Sequence, residues 1–137
     1  MKKLLAILAA LALTACSGMT SSGGSAVSLR LTGAEEVPPV SVPGSGTGSF
    51  TIGEDGAVRG SVTTTGVQGT MAHIHLGARG KNGPVIIPLV KNGDSYAAPQ
   101  GAKLTDAQLQ AFRAGDLYVN VHTAQNKGGE VRAQLRP

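Results

Sequence analysis

From residue 27 onward, apolar residues recur at every second position, and that period predicts strands rather than helices. In "AVSLRLTG", Val27, Leu29 and Leu31 share one face. "GTGSFTIGEDGAVRGSVTTTG" reads as two strands around a "GEDG" turn, a hairpin signal. "TMAHIHLG" is a strand that runs into a glycine-rich loop, "GARGKNGP". "PVIIPLV" is an apolar run between prolines, which predicts a short strand or a sheet edge. "LYVNVHT" is rich in β-forming residues, and "GGEVRAQLR" places Val131, Ala133 and Leu135 on one face. Together these seven candidate strands, separated by turn signals, predict an all-β fold, an antiparallel Greek-key β-sandwich.

One stretch has a different period. "LTDAQLQAFRAG" carries Thr105 as N-cap and Gln108 three residues on, the spacing of a capping box. Leu109 and Phe112 fall on one helical face, and Gly115 is placed to end the helix. So short a helix is not stable alone, so it is expected to pack Leu109 and Phe112 onto one end of the sandwich.

The strand alternation also sorts the three histidines. In "MAHIH", Met71, His73 and His75 point one way, while Ala72, Ile74 and Leu76 point toward the core. In "YVNVHT", Val119 and Val121 take the core, and Tyr118, Asn120 and His122 point away. If the two strands are neighbours, all three imidazoles converge. Strand residues two apart lie roughly 6.5–7 Å apart at the backbone, close enough for two imidazoles to lean toward one ion. A third histidine from the next strand would complete a site suited to copper or zinc. Met71 adds a soft thioether on the same face, which favours Cu(I). Metal binding requires neutral imidazoles, so affinity is expected to fall as pH drops through about 6. A non-metal reading stands beside this one: the histidines are polar residues of an outer strand face, or they bond to the glycine-rich loop at 77–83.

Other chemistry finds little support. No Gly-x-Ser-x-Gly elbow is present. The glycines of "GARGKNG" are not followed by the Lys-Ser/Thr and helix of a phosphate loop. No catalytic residue is assigned. Glu35 and Glu36 have no evident partner, and Glu130 is expected to meet Arg132 in a surface salt bridge or to touch a histidine.

Composition changes the picture mainly at the N-terminus. "MKK" followed by "LLAILAALAL" is a positive segment and then an apolar one, too short to span a bilayer stably. "LTAC" ends at Cys16, the only cysteine. This pattern resembles a bacterial lipoprotein signal. The resemblance implies removal of residues 1–15 and lipidation of Cys16, with several acyl chains giving a stable membrane anchor. Ser17 after the cysteine, by resemblance to lipoprotein sorting, favours the outer membrane, facing the periplasm. Residues 16–26 are then the lipidated cysteine and a Gly/Ser-rich tether, and 27–137 form one domain. Loss of Lys2 and Lys3 leaves ten basic against eight acidic side chains, so the formal charge of +4 is no sign of a nucleic-acid partner. A single cysteine leaves no disulfide, so the domain must stand on an aliphatic core.

"LTGAEEVPPV", "AHIHLGARGKNGPV", "AFRAGDLYVNVHT" and "GGEVRAQL", in that order, resemble the CHRD (chordin-type) domain over residues 28–136. The resemblance implies an immunoglobulin-like or superoxide-dismutase-like sandwich without a defined activity. A fainter similarity is to copper–zinc superoxide dismutases, which carry His-x-His on one strand and Val-His on a later one. It implies His73, His75 and His122 as copper ligands. A bridging fourth histidine, an aspartate-containing zinc site and a disulfide are missing from this pattern. The leading expectation is therefore an envelope lipoprotein binding copper, or else zinc, for periplasmic copper binding or homeostasis. The alternatives are a module that binds a protein or glycan partner without metal and, less favoured, a copper redox enzyme.

Overall fold

The computed structural model describes residues 23–137. The expected leader at 1–15, Cys16 and the first part of the tether lie outside the described residues. Among those described, no helix is long and apolar enough to cross a membrane.

The chain forms nine strands, a 3-10 turn and one helix. They are β1 (Gly24–Thr32), the turn (Gly33–Glu35), β2 (Ser45–Gly53), β3 (Val58–Thr65), β4 (Gly69–Leu76), β5 (Val85–Pro88) and β6 (Val90–Asn92). After these come β7 (Ser95–Ala97), α1 (Asp106–Ala114), β8 (Leu117–Thr123) and β9 (Val131–Leu135). Every pairing is antiparallel, in the order β5-β4-β8-β9-β1-β2-β3-β7-β6. β9 returns beside β1 of the β1-β2-β3 meander, the spatial order of a Greek key.

The two ends of this order come from one continuous segment. "PVIIPLV" is not a single strand: its first part pairs with β4 and its last with β7. Between them the Leu89 N–H donates to the Ala72 carbonyl at 2.9 Å. Pro88 has no N–H to continue a ladder, and the chain changes partners there. The sheet is thereby nearly closed on itself. Strand β9 meets β1 through a single pair, Thr32 with Arg132, so the sheet bends into two facing halves at that point.

The core fills the space between the halves. Val27, Leu29, Leu31, Phe50 and Val62 come from one side, and Ala72, Ile74, Val119, Val121 and Val131 from the other. Of these, Val27, Leu29, Leu31, Ala72, Ile74, Val119, Val121 and Val131 lie on the faces that the period-2 pattern assigns inward. The helix begins at a complete capping box: Thr105 accepts from the Gln108 N–H, and the Gln108 side chain accepts from the Thr105 N–H. It ends at Gly115 in the left-handed conformation. Leu109 and Phe112 are its buried residues and cover the end of the sandwich beside Gly24 and Ile52.

This packing gives the first expected outcome. Phe112→Ala should cost about 3–5 kcal/mol, read as a lower denaturant midpoint at unchanged slope. A loss below about 1 kcal/mol would mean the helix contributes little to closing the core.

Candidate metal centre

The site is built on the face of β4, β8 and β9 that points away from the core. Directly paired residues of antiparallel strands point to the same side. Met71 lies opposite His122. His73 lies opposite Asn120, which in turn pairs with Arg132. His75 lies opposite Tyr118, which pairs with Gln134. The strands β4 and β8 are neighbours, so the condition for the histidines to converge is met. One nitrogen from each of His73, His75 and His122 lies within 4.8 Å of the others.

This face is not open. His75 and His122 are buried, His73 is half-buried, and Met71 is 51% exposed. Two loops fold over the face and bond to the imidazoles. His75 Nδ1 lies 2.9 Å from the Gly83 carbonyl, and His122 Nδ1 lies 2.8 Å from that of Lys127. A carbonyl only accepts, so each Nδ1 carries the hydrogen and each Nε2 presents its lone pair. His122 Nε2 sits 3.0 Å from His73 Nδ1, which therefore donates to it. His75 Nε2 is buried without a partner. The loop contacts expected of a purely structural histidine are thus real, and they also orient two of the three imidazoles as backbone carbonyls behind ligating histidines do in metal sites.

A fourfold ion with bonds near 2.0–2.1 Å needs nitrogens roughly 3.3 Å apart. Candidate nitrogens within 4.8 Å of one another lie within small side-chain rotations of that figure. The donor set therefore fits a metal ion. Its identity does not follow from three imidazoles alone.

Arg132 holds the first loop in place, and alternation alone did not reveal this. Its side chain is 1% exposed, and its guanidinium carbon lies 3.5 Å from the centre of the Tyr118 ring. On the other side, Tyr118 stacks against His75, with centroids 4.7 Å apart and planes 8° from parallel. The guanidinium donates to the Lys81 carbonyl at 2.9 Å and to Asn82 Oδ1 at 3.2 Å. Gln134 adds a bond to the Gly77 carbonyl, and the Tyr118 hydroxyl accepts from the Gly83 N–H. At Gly83 the backbone passes so close to the end of β4 that a Cβ would overlap the Leu76 carbonyl.

Three expectations about the acids need correction. Glu130 forms no surface salt bridge with Arg132. Both residues are buried, and Glu130 accepts from Thr123 Oγ1 at 2.6 Å and Asn126 Nδ2 at 3.0 Å. Glu35 pairs with Arg79 at 2.7 Å, which ties the 3-10 turn to the first loop. Glu36 is 3% exposed, and its Oε1 has no hydrogen-bond partner. Burial pushes its carboxyl up to about 7, against the opposing pull of Arg132 and Asn120. Gly129, at φ 133°, passes over Glu36 and Asn120 where a side chain would collide with both. Asn120 and Arg132 stand on the histidine face by the same alternation that placed the histidines, and that was the signal available for them.

Burial, with the two neighbouring imidazoles, lowers His73 to about 4. His75 is lowered as well, first by burial, with its bond to Gly83 acting in the opposite direction. These two imidazoles are neutral at neutral pH without a metal.

A family model for the CHRD domain matches residues 27–135, and the chain belongs to that family. No curated protein and no solved structure matches it.

The titrations predict opposite pH effects on stability. The folded state protonates His73 only near 4, while the unfolded chain does so near 6.5, so this histidine destabilises the fold as pH falls between those values. Glu36 keeps its proton up to about 7 when folded but only to 4.5 when unfolded, so its contribution is full below 4.5 and is lost as pH rises through 7. Denaturant titrations of the metal-free chain should show a flatter acid limb for His73→Gln and a flatter neutral limb for Glu36→Gln. Curves parallel to the parent's would contradict both assignments.

Proposed function

We propose that this CHRD domain binds a copper ion through His73, His75 and His122, and that the protein is an envelope lipoprotein, anchored through Cys16, serving periplasmic copper binding or homeostasis. The observation carrying this reading is the orientation of the imidazoles. Two of them give Nδ1–H to backbone carbonyls, and three nitrogens gather within 4.8 Å. Zinc would fit the same donors, but copper outranks it at nitrogen sites. Met71, opposite His122 and half exposed, would add a thioether on the solvent side. The bound ion would supply Lewis acidity or an electron. The chain's part is to hold His73 and His75 neutral, fix the tautomers of His75 and His122 and cover those two from water.

The anchor and the outer-membrane address rest on the "LTAC" pattern and Ser17. The buried positions of His75 and His122 favour a metal over a protein or glycan that would bind those two side chains directly.

Copper titration of the metal-free chain, followed by competition with a chelator of known affinity, tests this reading. One equivalent should bind, and both His73→Gln and His122→Gln should weaken binding by at least about tenfold. His75→Ala is the poorer probe, because it removes the donor to the buried Gly83 carbonyl. Proton competition at His73 should begin only as pH approaches 4, below the value of about 6 expected for an unperturbed imidazole. Undiminished binding in both glutamine variants would refute the site.

A further inference from the structure

A fourth side chain stands among the three histidines, and its role as a donor rests on the metal reading above. Asn120 is the direct partner of His73 across the ladder. His122 lies two residues further along β8, and His75 is the diagonal neighbour on β4. The three imidazoles therefore surround this one amide on their shared face. Asn120 is 2% exposed, deeper than any of the histidines.

Only one end of the amide is satisfied. Nδ2 donates to the Gly128 carbonyl at 3.2 Å. A carbonyl only accepts, so the nitrogen must face the loop at 126–129 and the oxygen must turn away from it. Gly129 passes close to both Asn120 Nδ2 and Glu36 Oε1, so Glu36 also lies on the nitrogen's side. Oδ1 is left buried without a hydrogen-bond partner. An amide oxygen accepts at every pH, so no titration removes its need for a partner.

His75 stands within reach of this amide. Burial lowers the imidazole's pKa, and Asn120 is among the groups that act against that lowering. His75 Nε2 is nevertheless a second buried atom without a partner. Two acceptors thus stand near each other, and among the described residues no donor serves either. Each costs free energy when it leaves water. A cation bound by both satisfies them at once. Three imidazoles also leave a four-coordinate ion one ligand short, and mixed nitrogen and oxygen sets are those of tetragonal Cu(II).

We propose that Asn120 is a metal ligand, its Oδ1 completing the donor set of His73, His75 and His122.

The test uses the full chain, prepared with asparagine carrying carbon-13 in the side-chain carboxamide, freed of metal and loaded with Cu(II). Electron–nuclear double resonance then reads which nuclei couple to the copper. The sequence has four asparagines, Asn82, Asn92, Asn120 and Asn126, and Asn120 is the one among the imidazoles. A strong carbon-13 coupling should appear beside the imidazole nitrogen couplings. It should vanish in Asn120→Leu, which should also bind copper about tenfold more weakly against a chelator of known affinity. Asn120→Leu gives up the bond to Gly128 as well, so the coupling in the parent, not the affinity, decides the assignment. Imidazole couplings with only a weak carbon-13 signal would mean that a water stands between Asn120 and the ion. The ligand assignment then fails while the histidine site stands. If no imidazole nitrogen couples, the histidine site fails and Asn120 with it.

Discussion

A guanidinium taken out of water must replace every bond it gave up, and Arg132 does so with the loop that covers the histidine face. Its donors go to Lys81, Asn82 and Ala78, and its flat side lies on Tyr118. The loop therefore has one path it can follow, because another would leave a buried cation unsatisfied. That path delivers the Gly83 carbonyl to His75 and the Gly83 N–H to Tyr118. The tautomer of His75 is thus fixed by an arginine on a different strand. Removing one partner of such a buried arrangement commonly costs about 3–5 kcal/mol, because the other is left behind uncompensated.

The site bears the cost of this construction. Glu36 Oε1, His75 Nε2 and Asn120 Oδ1 are buried without hydrogen-bond partners. Each such group costs free energy against water. Three of the four such atoms among the described residues lie around this one face, the fourth being the Tyr96 hydroxyl in the core. His75 Nε2 is the most informative of the three. The hydrogen on Nδ1 leaves Nε2 a lone pair, and among the described residues nothing donates to it.

Alternation placed the inward residues of β1, β4, β8 and β9 and put all three histidines on the opposite face, because a strand's side-chain period is fixed by its backbone. The helix was legible down to its capping box, since Thr105 and Gln108 act locally. Tertiary context decided the rest. "PVIIPLV" divides where Pro88 interrupts the ladder, and β7 is three residues long, with only Tyr96 buried. Alternation tells which way Arg132 and Glu130 point, but not what later folds over them, and for that reason a surface pair was expected where two buried residues stand. Convergence of the histidines required β4 and β8 to be neighbours, a fact of topology that neither strand encodes alone.

The single pair joining the two halves of the sheet also sets a distance. Thr32, Arg132, Asn120, His73 and Pro88 form one row of direct partners across five strands. Thr32 is the last residue of β1, and Gly24, at the helix end of the sandwich, is the first. Eight strand steps separate them, roughly 27 Å at the rise of an antiparallel strand. The row that carries His73 therefore stands that far along β1 from the residue where the strand begins. Strand β1 sets this separation by its backbone alone, whatever side chains it carries.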